Sequence, residues 1–444
     1  MTDAVASQNP WLVDVAVRKK EPDPDGLVVA FAGGRGALFW LAFKTGFFTI
    51  ITLGFYRFWM KTRLRRWYWS SIRPGGHPME YVGDPFEKLL GFFIAVVILT
   101  FYIGIVNLVL MFVSFSIFSN SWVGYLASFA GVIPLWFYAQ YRARRYLLAR
   151  TRWRGVRFGL EKGAWGFAIR ALMHWAITLC TLGILWPRMT FSLEKYRTDR
   201  TFFGSAKLHQ GGRWPMLYRA AIPFVLALLF CGGVLAWLFW WQPVFPQGSL
   251  DLPDTLANFE ELLEGGAPIG LWIMPGRLFL IPLGLSALLY GAIHYRFAAK
   301  RMMAQRKWAE GIAFASHLSG PRVVSIYVFG NFFAYLALVL GIIILFILAA
   351  ITMGPEVILG FQTGGFLDLP RWASLSLLGV TYLSVFLMWG VMLNTFVTFP
   401  LMRHMALTTS VPVINGLAAI SQRDRDSFAE AEGFAEALDL GAAI

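Results

Sequence analysis

Cysteine is scarce in this chain: Cys180 and Cys231 are the only two among 444 residues, each inside an apolar run. That excludes a disulfide framework and a cysteine-based metal site, and both thiols are expected to pack as small buried hydrophobes. Charge is scarce too, at 14% of residues against about 25% in an average soluble domain. The long apolar runs at 89–118, 220–241, 323–354 and 373–402 hold no charged side chain at all. Each exceeds the roughly 20 residues an α-helix needs to cross a bilayer. Carriers coupled to protons or sodium usually place an acid at membrane depth, so coupled transport is disfavoured. No His-Glu-x-x-His, Gly-x-Ser-x-Gly or phosphate-cradling glycine loop occurs. No catalytic residue, metal ligand or cofactor is therefore expected, and an enzyme is the least favoured class. The stretch Met1–Asp25 is polar, and no cleaved secretory signal is expected in it.

What charge there is sorts by position. The net charge is +14, and the cations gather at 57–88, 142–162, 188–219 and 296–322. The stretches 242–268 and 353–370 carry acids and no Lys or Arg. Lys and Arg beside membrane segments stay cytoplasmic, so the basic stretches and both termini are expected inside the inner membrane and the acidic loops outside. The same pattern points to anionic lipid headgroups as partners and away from nucleic acid. Two apolar stretches, 36–58 and 164–187, have basic flanks at both ends and are interrupted by Lys44 and by Arg170 with His174.

The expected fold is an all-α polytopic membrane protein with internal repeats. Six segments cross, at about 89–118, 121–140, 218–241, 269–295, 323–352 and 373–400, while 36–58 and 164–187 form re-entrant or interfacial hairpins. Eight simple crossings are the alternative. Leu27–Phe31, Met79–Val82 and Gly155–Phe158 are expected to make small cytoplasmic β elements. The repeat shows in Thr52-Leu53-Gly54 and Thr181-Leu182-Gly183, each set between an apolar run and a basic aromatic one. A third, divergent copy is suggested by the likeness of 140–155 to 294–311. The organisation expected is a polar tail at 1–26, membrane repeats at 27–140, 141–293 and 294–410, and an acidic tail at 411–444.

Where TLGFYRFWMKTRLRRWYWSSI meets MEYVGDPFEKLLG, the chain resembles the YjgN-like family of bacterial inner-membrane proteins of unknown function. RTRWRGVRFGLEKGAWG followed by TLCTLGILWP carries the same resemblance in a second copy. It implies an inner-membrane location, no established activity, and a membrane-associated peptidase as a candidate partner.

The candidate ligand residues are Arg57, Lys61, Arg63, Arg66 and Trp67, Arg142, Arg144 and Arg145, with Lys44, Arg170 and His174 within apolar segments. Cations next to Trp and Tyr suit an anionic headgroup at the interface. The same pattern also serves as plain positive-inside anchoring, and Lys44 and Arg170 as snorkelling side chains. Asn331 and Asn394 are expected to bond between helices. The functional expectation is binding, then translocation, of a lipid or small amphiphile on a basic aromatic cytoplasmic face. The alternative is a structural or regulatory partner of another membrane complex.

Overall fold

A computed structural model describes residues 26–118, 121–237, 279–353 and 371–423. The N-terminal tail, most of the proposed outer turns near 119–121, 242–268 and 353–372, and the acidic tail beyond Arg423 lie outside the described residues. The chain forms two compact units. One comprises Met1–Trp214, Met303–Leu318 and Ser325–Ile444, the other Pro215–Met302 with Ser319–Val324.

The larger unit is organised by strands. They are β1 (Leu27–Phe31), β2 (Ile72–Pro74), β3 (Met79–Tyr81), β4 (Thr151–Trp153), β5 (Val156–Leu160), β6 (Thr201–Phe203), β7 (Ala206–Lys207), β8 (His209–Gln210), β9 (Lys307–Ala309), β10 (Ile312–Ser316) and β11 (Thr409–Val413). They form two antiparallel sheets, ordered β2-β1-β11-β10-β9-β8 and β3-β4-β5-β6-β7. Tight turns at Arg154–Gly155 and Glu310–Gly311 join β4 to β5 and β9 to β10, with positive φ at Arg154, Gly155 and Gly311.

The helices leave from paired strand ends. At each departure the residue after the outgoing strand donates its N–H to the carbonyl before the returning one. The pairs are Ala32 to Ser71 at 2.9 Å, Val82 to Arg150 at 2.9 Å, Glu161 to Arg200 at 2.9 Å, Gly211 to Arg306 at 2.9 Å and His317 to Thr408 at 2.8 Å. The ladder thus has one edge of tight turns and one edge from which helical segments start and to which they return.

Two of those segments are helix–turn–helix hairpins. The first is α1 (Arg35–Ile51) with α2 (Arg57–Ser71). Pro85–Phe101 (α3), a π-helical turn at Tyr102–Val106, Asn107–Phe118 (α4) and Ser121–Ala149 (α5) follow. The second hairpin is α6 (Ala164–Cys180) with α7 (Trp186–Thr198). Both turns use one geometry. Leu53 and Gly54 take φ of 50° and 93°, and Leu182 and Gly183 take 49° and 85°. Gly54 N–H reaches Thr49 O at 2.7 Å, and Gly183 N–H reaches Thr178 O at 2.8 Å. This is the double αL helix ending that satisfies the last carbonyls. The Thr52 hydroxyl accepts from Tyr56 N–H at 2.9 Å, and that of Thr181 from Leu185 N–H at 3.4 Å. Leu53 and Leu182 at the two tips are 90% and 92% exposed.

The first hairpin is fixed by a core of Leu38, Ala42, Leu64, Tyr68, Val391, Phe399 and Met402. It packs on α11 (Arg371–Leu393) and α12 (Phe399–Leu407). The second is fixed by Tyr141, Leu160, Phe167 and Tyr196. In the smaller unit, α8 (Tyr218–Ala236) and α9 (Leu280–Ala304) pack through glycine. A Cβ at Gly291 would meet the Phe224 backbone at 2.6 Å, and one at Gly284 would meet Cys231 Sγ at 3.3 Å. Small residues of this kind let membrane helices approach closely. The long helix α10 (Gly320–Met353) follows β10 in the chain.

The all-α expectation is overturned by the two sheets. The expectation of six or eight crossings is overturned as well. Among the described residues three helices are long and apolar enough to cross: Trp214–Ala236, Gly320–Ile351 and Leu378–Leu407. Within the apolar run 89–118 the apolar helix is Gly104–Ile117, shorter than a crossing needs. The last third of α5 is cationic, and the helix carries Pro134 within it. The end of α9 carries His294, Arg296, Lys300 and Arg301. At 17 residues each, α1 and α6 reach only about 25 Å, short of the roughly 30 Å hydrocarbon layer. Cys180 is exposed rather than buried. The amides of Asn331 and Asn394 donate to Tyr327 O at 2.7 Å and Gly390 O at 2.8 Å within their own helices rather than across them.

Candidate functional site

The cations of the larger unit occupy three settings. The first is the face of an aromatic ring. Arg63 lies over Tyr56 at 5.7 Å, Arg142 over Tyr138 at 5.5 Å and Arg150 over Tyr146 at 5.0 Å. The Tyr81 ring takes both Arg65 at 5.3 Å and Lys88 at 5.0 Å. The Tyr196 ring takes Arg200 at 3.6 Å and Arg170 at 4.8 Å. Each such contact contributes about 0.5–1 kcal/mol when exposed and more when desolvated.

The second setting is a carboxylate that gathers several cations. Glu194 on α7 receives Lys307 Nζ at 2.7 Å, Arg197 Nη2 at 3.0 Å and Arg144 Nη1 at 3.8 Å. Burial raises the Glu194 carboxyl, but Lys307, Arg197 and Arg144 outweigh it and hold it well below the usual carboxylate range. The cluster joins β9, α5 and α7.

The third setting is a cavity of about 610 Å³ beside β4 and β5. Arg145, Arg150, Arg152, Arg157, Lys162 and Arg423 line it, with Glu87 and Glu161 as its carboxylates and Phe158, Leu160, Phe202 and Val82 as apolar wall. Both carboxylates are engaged. Arg150 Nη2 donates to Glu87 Oε1 and Oε2 at 2.9 and 2.8 Å, and the Tyr146 hydroxyl donates to Oε2 at 2.9 Å. Burial first, then Tyr81 and Glu87, keep the Tyr146 hydroxyl protonated well above its ordinary range. Glu161 Oε1 accepts from Lys207 Nζ at 2.7 Å. Arg152 and Arg157 are direct partners across the β4–β5 hairpin, and exposed Glu80 stands opposite Arg152 on β3. Arg152 Nε is buried with no hydrogen-bond partner among the described residues. Gln422 Oε1 accepts from Arg157 N–H at 3.0 Å, and Arg423 lies over the Phe202 ring at 4.4 Å. A Cβ at Gly159 would run into that ring, so glycine lets Phe202 close the wall.

The residues singled out from the sequence do not form one site. Arg57, Lys61, Arg63, Arg66 and Trp67 lie on α2, where Arg66 Nη2 donates to Gly83 O at 2.9 Å and Trp67 packs on Tyr68 and Phe399. Lys44 is exposed on α1. Arg142, Arg144 and Arg145 fan out from α5 to Tyr138, Glu194 and the Leu160 carbonyl, and of the candidates only Arg145 lines the cavity. Arg170 donates to Gly166 O at 3.2 Å, while His174 is buried in α6. The motif residues Thr52, Leu53, Gly54, Thr181, Leu182 and Gly183 make the two turns. Sequence reasoning missed Arg152 and Arg157, although a two-residue Arg154–Gly155 turn places them opposite one another. Nothing local signals Arg423, which arrives from 266 positions beyond Arg157. Among the described residues no three His, Cys, Asp or Glu side chains gather as a metal ion would require.

Three helices long and apolar enough to cross a bilayer, carried with a basic strand ladder, define a membrane protein. The chain belongs to the family described as bacterial proteins of unknown function, DUF898, whose profile matches residues 27–353. The YjgN-like resemblance is to this same family. No curated protein and no solved structure matches the chain.

Proposed function

We propose that this is an inner-membrane protein, with both termini cytoplasmic, that binds an anionic lipid or small amphiphile on a basic aromatic face. The observation that carries the reading is the abrupt change of surface across the first Thr-Leu-Gly turn. Before it, α1 exposes Trp40, Phe47, Phe48 and Ile51. After it, α2 presents Arg57, Arg63 and Arg66, with Arg63 stacked on Tyr56, while the Lys61 Nζ is buried. An anionic amphiphile offers the complement of both surfaces. Nine of the eleven described strands fall within the four basic stretches, and β1 and β11 pair into the same sheet as β2 and β10; such stretches stay cytoplasmic, so the ladder faces the cytoplasm in this reading. The two hairpins are then copies of one unit. Their equal turns and the recurring neck bond support this, with repeats at 27–140, 141–293 and, divergently, 294–410. Native mass spectrometry of the full chain in mild detergent tests the function. Mass increments of anionic lipid are expected; no increments, or equal retention of zwitterionic lipid, would contradict it.

A further inference from the structure

We propose that the acidic segment 424–444 of this chain seats on the basic cavity beside β4 and β5 and covers it. This contact is independent of what the basic aromatic face of α2 binds.

Chain continuity brings the first acids there. After β11 the chain reaches the second sheet, and four contacts fix it in place. Ser205 N–H donates to Ser421 O at 2.9 Å, and Ser421 N–H donates to Ser205 Oγ at 3.2 Å. Gln422 Oε1 accepts from Arg157 N–H at 3.0 Å, and Arg423 lies over the Phe202 ring at 4.4 Å. Gln422 and Arg423 themselves line the cavity. Each further residue extends the chain by at most about 3.6 Å. Asp424 therefore starts beside the cavity wall, and Asp426 is held within about 11 Å of Arg423.

Charge supplies the attraction. Six cationic side chains line the cavity against two carboxylates, Glu87 and Glu161. Those two acids already answer Arg150, Tyr146 and Lys207. The segment beyond Arg423 carries Asp424, Asp426, Glu430, Glu432, Glu436 and Asp439 against the single cation Arg425. Carboxylates accept paired, charge-assisted hydrogen bonds from arginine. A short tether holds its acids at an effective concentration in the millimolar range, so several ion pairs that are weak one by one suffice together. Any other anion reaches these cations by displacing the segment.

The first test is zero-length carbodiimide coupling of the full chain in detergent, read by mass spectrometry. It joins carboxylates only to lysines they touch, and Lys162 is the cavity's lysine. Lys162 should be joined to an acid within 424–444. Mixing isotope-labelled and unlabelled chain shows that both partners belong to one molecule. The second test is arginine labelling with phenylglyoxal. Arg152 and Arg157 should gain reactivity at least about fivefold when residues 424–444 are deleted, the scale of a few exposed ion pairs acting together. Asp424→Asn, Asp426→Asn and Glu430→Gln combined in the full-length chain should act in the same direction, which separates lost charge from lost folding. Arg403, exposed on α12, should keep its rate throughout. Unchanged reactivity of Arg152 and Arg157 in both variants would overturn the proposal, because the fold itself would then cover them. So would a Lys162 that couples to no acid beyond Arg423. Mixed-isotope pairs would overturn it too, since the occupant would then be a second copy's segment.

Discussion

Two groups of cations in the same unit lead opposite lives. Around Glu194, Lys307, Arg197 and Arg144 converge on one carboxylate with 15% of its side chain exposed. In the cavity by β4 and β5, Arg152 faces Arg157, and the cavity's two acids turn toward Arg150, Tyr146 and Lys207. The residue types match, yet the first group shares one acid among three cations, while the second gives each acid its own partners. The first thereby staples strands to helices through a single carboxylate. Charge content alone does not separate the two; what separates them is how many cations depend on one acid.

The sharpest way to break this comparison is to remove the acid at the centre of the staple. Glu194→Ala leaves three cations without their common partner and should cost about 3 kcal/mol, the scale for orphaning a buried charge. Denaturant unfolding in detergent reads this, and a loss under about 1 kcal/mol would erase the distinction. The same cluster has a pH signature. The Glu194 carboxyl is depressed in the folded chain, so its contribution is complete above the unfolded value, near 4.5. It drains away as the pH falls toward the folded value. Glu194→Gln should flatten that acid limb of the stability profile.

The next largest effect belongs to the basic aromatic face. A short-chain anionic lipid at about 100 times its dissociation constant should add about 2.7 kcal/mol of stability. Glu194→Gln should keep the gain; thermal shift measures both. The smallest effect compares the two hairpin turns. Gly54→Ala and Gly183→Ala should each cost about 1–2 kcal/mol, because both positions have positive φ and open space around the missing Cβ. Unequal costs would undermine the view that the two turns are copies.

Parts of this structure were legible in the sequence. The two Thr-Leu-Gly motifs stood out as recurring, but the breaks were expected at Lys44 and at Arg170 with His174, which lie inside continuous helices while the motifs make the turns; three of the apolar runs are helices long enough to cross. Short β stretches were visible at Leu27, Met79 and Gly155. Their assembly into eleven strands was not, because strands such as β7 and β8 are only two residues long and carry no periodicity. The crossing count failed for a physical reason: apolar content does not fix helix length, and Gly104–Ile117 and Ala164–Cys180 are apolar helices too short to cross. Among candidate residues, local density of Arg and Trp drew attention to α2, whose cations lie on rings and backbone carbonyls. The cavity draws on α3, α5, β4, β5, β6 and the segment at Gln422–Arg423, a convergence of distant residues that spacing cannot reveal.

The most direct measurement is native mass spectrometry of the full chain in mild detergent with anionic and zwitterionic lipid in equal amounts. Preferential retention of the anionic lipid is the predicted result. Equal retention of both, or of neither, would contradict a basic aromatic face that binds anionic amphiphiles.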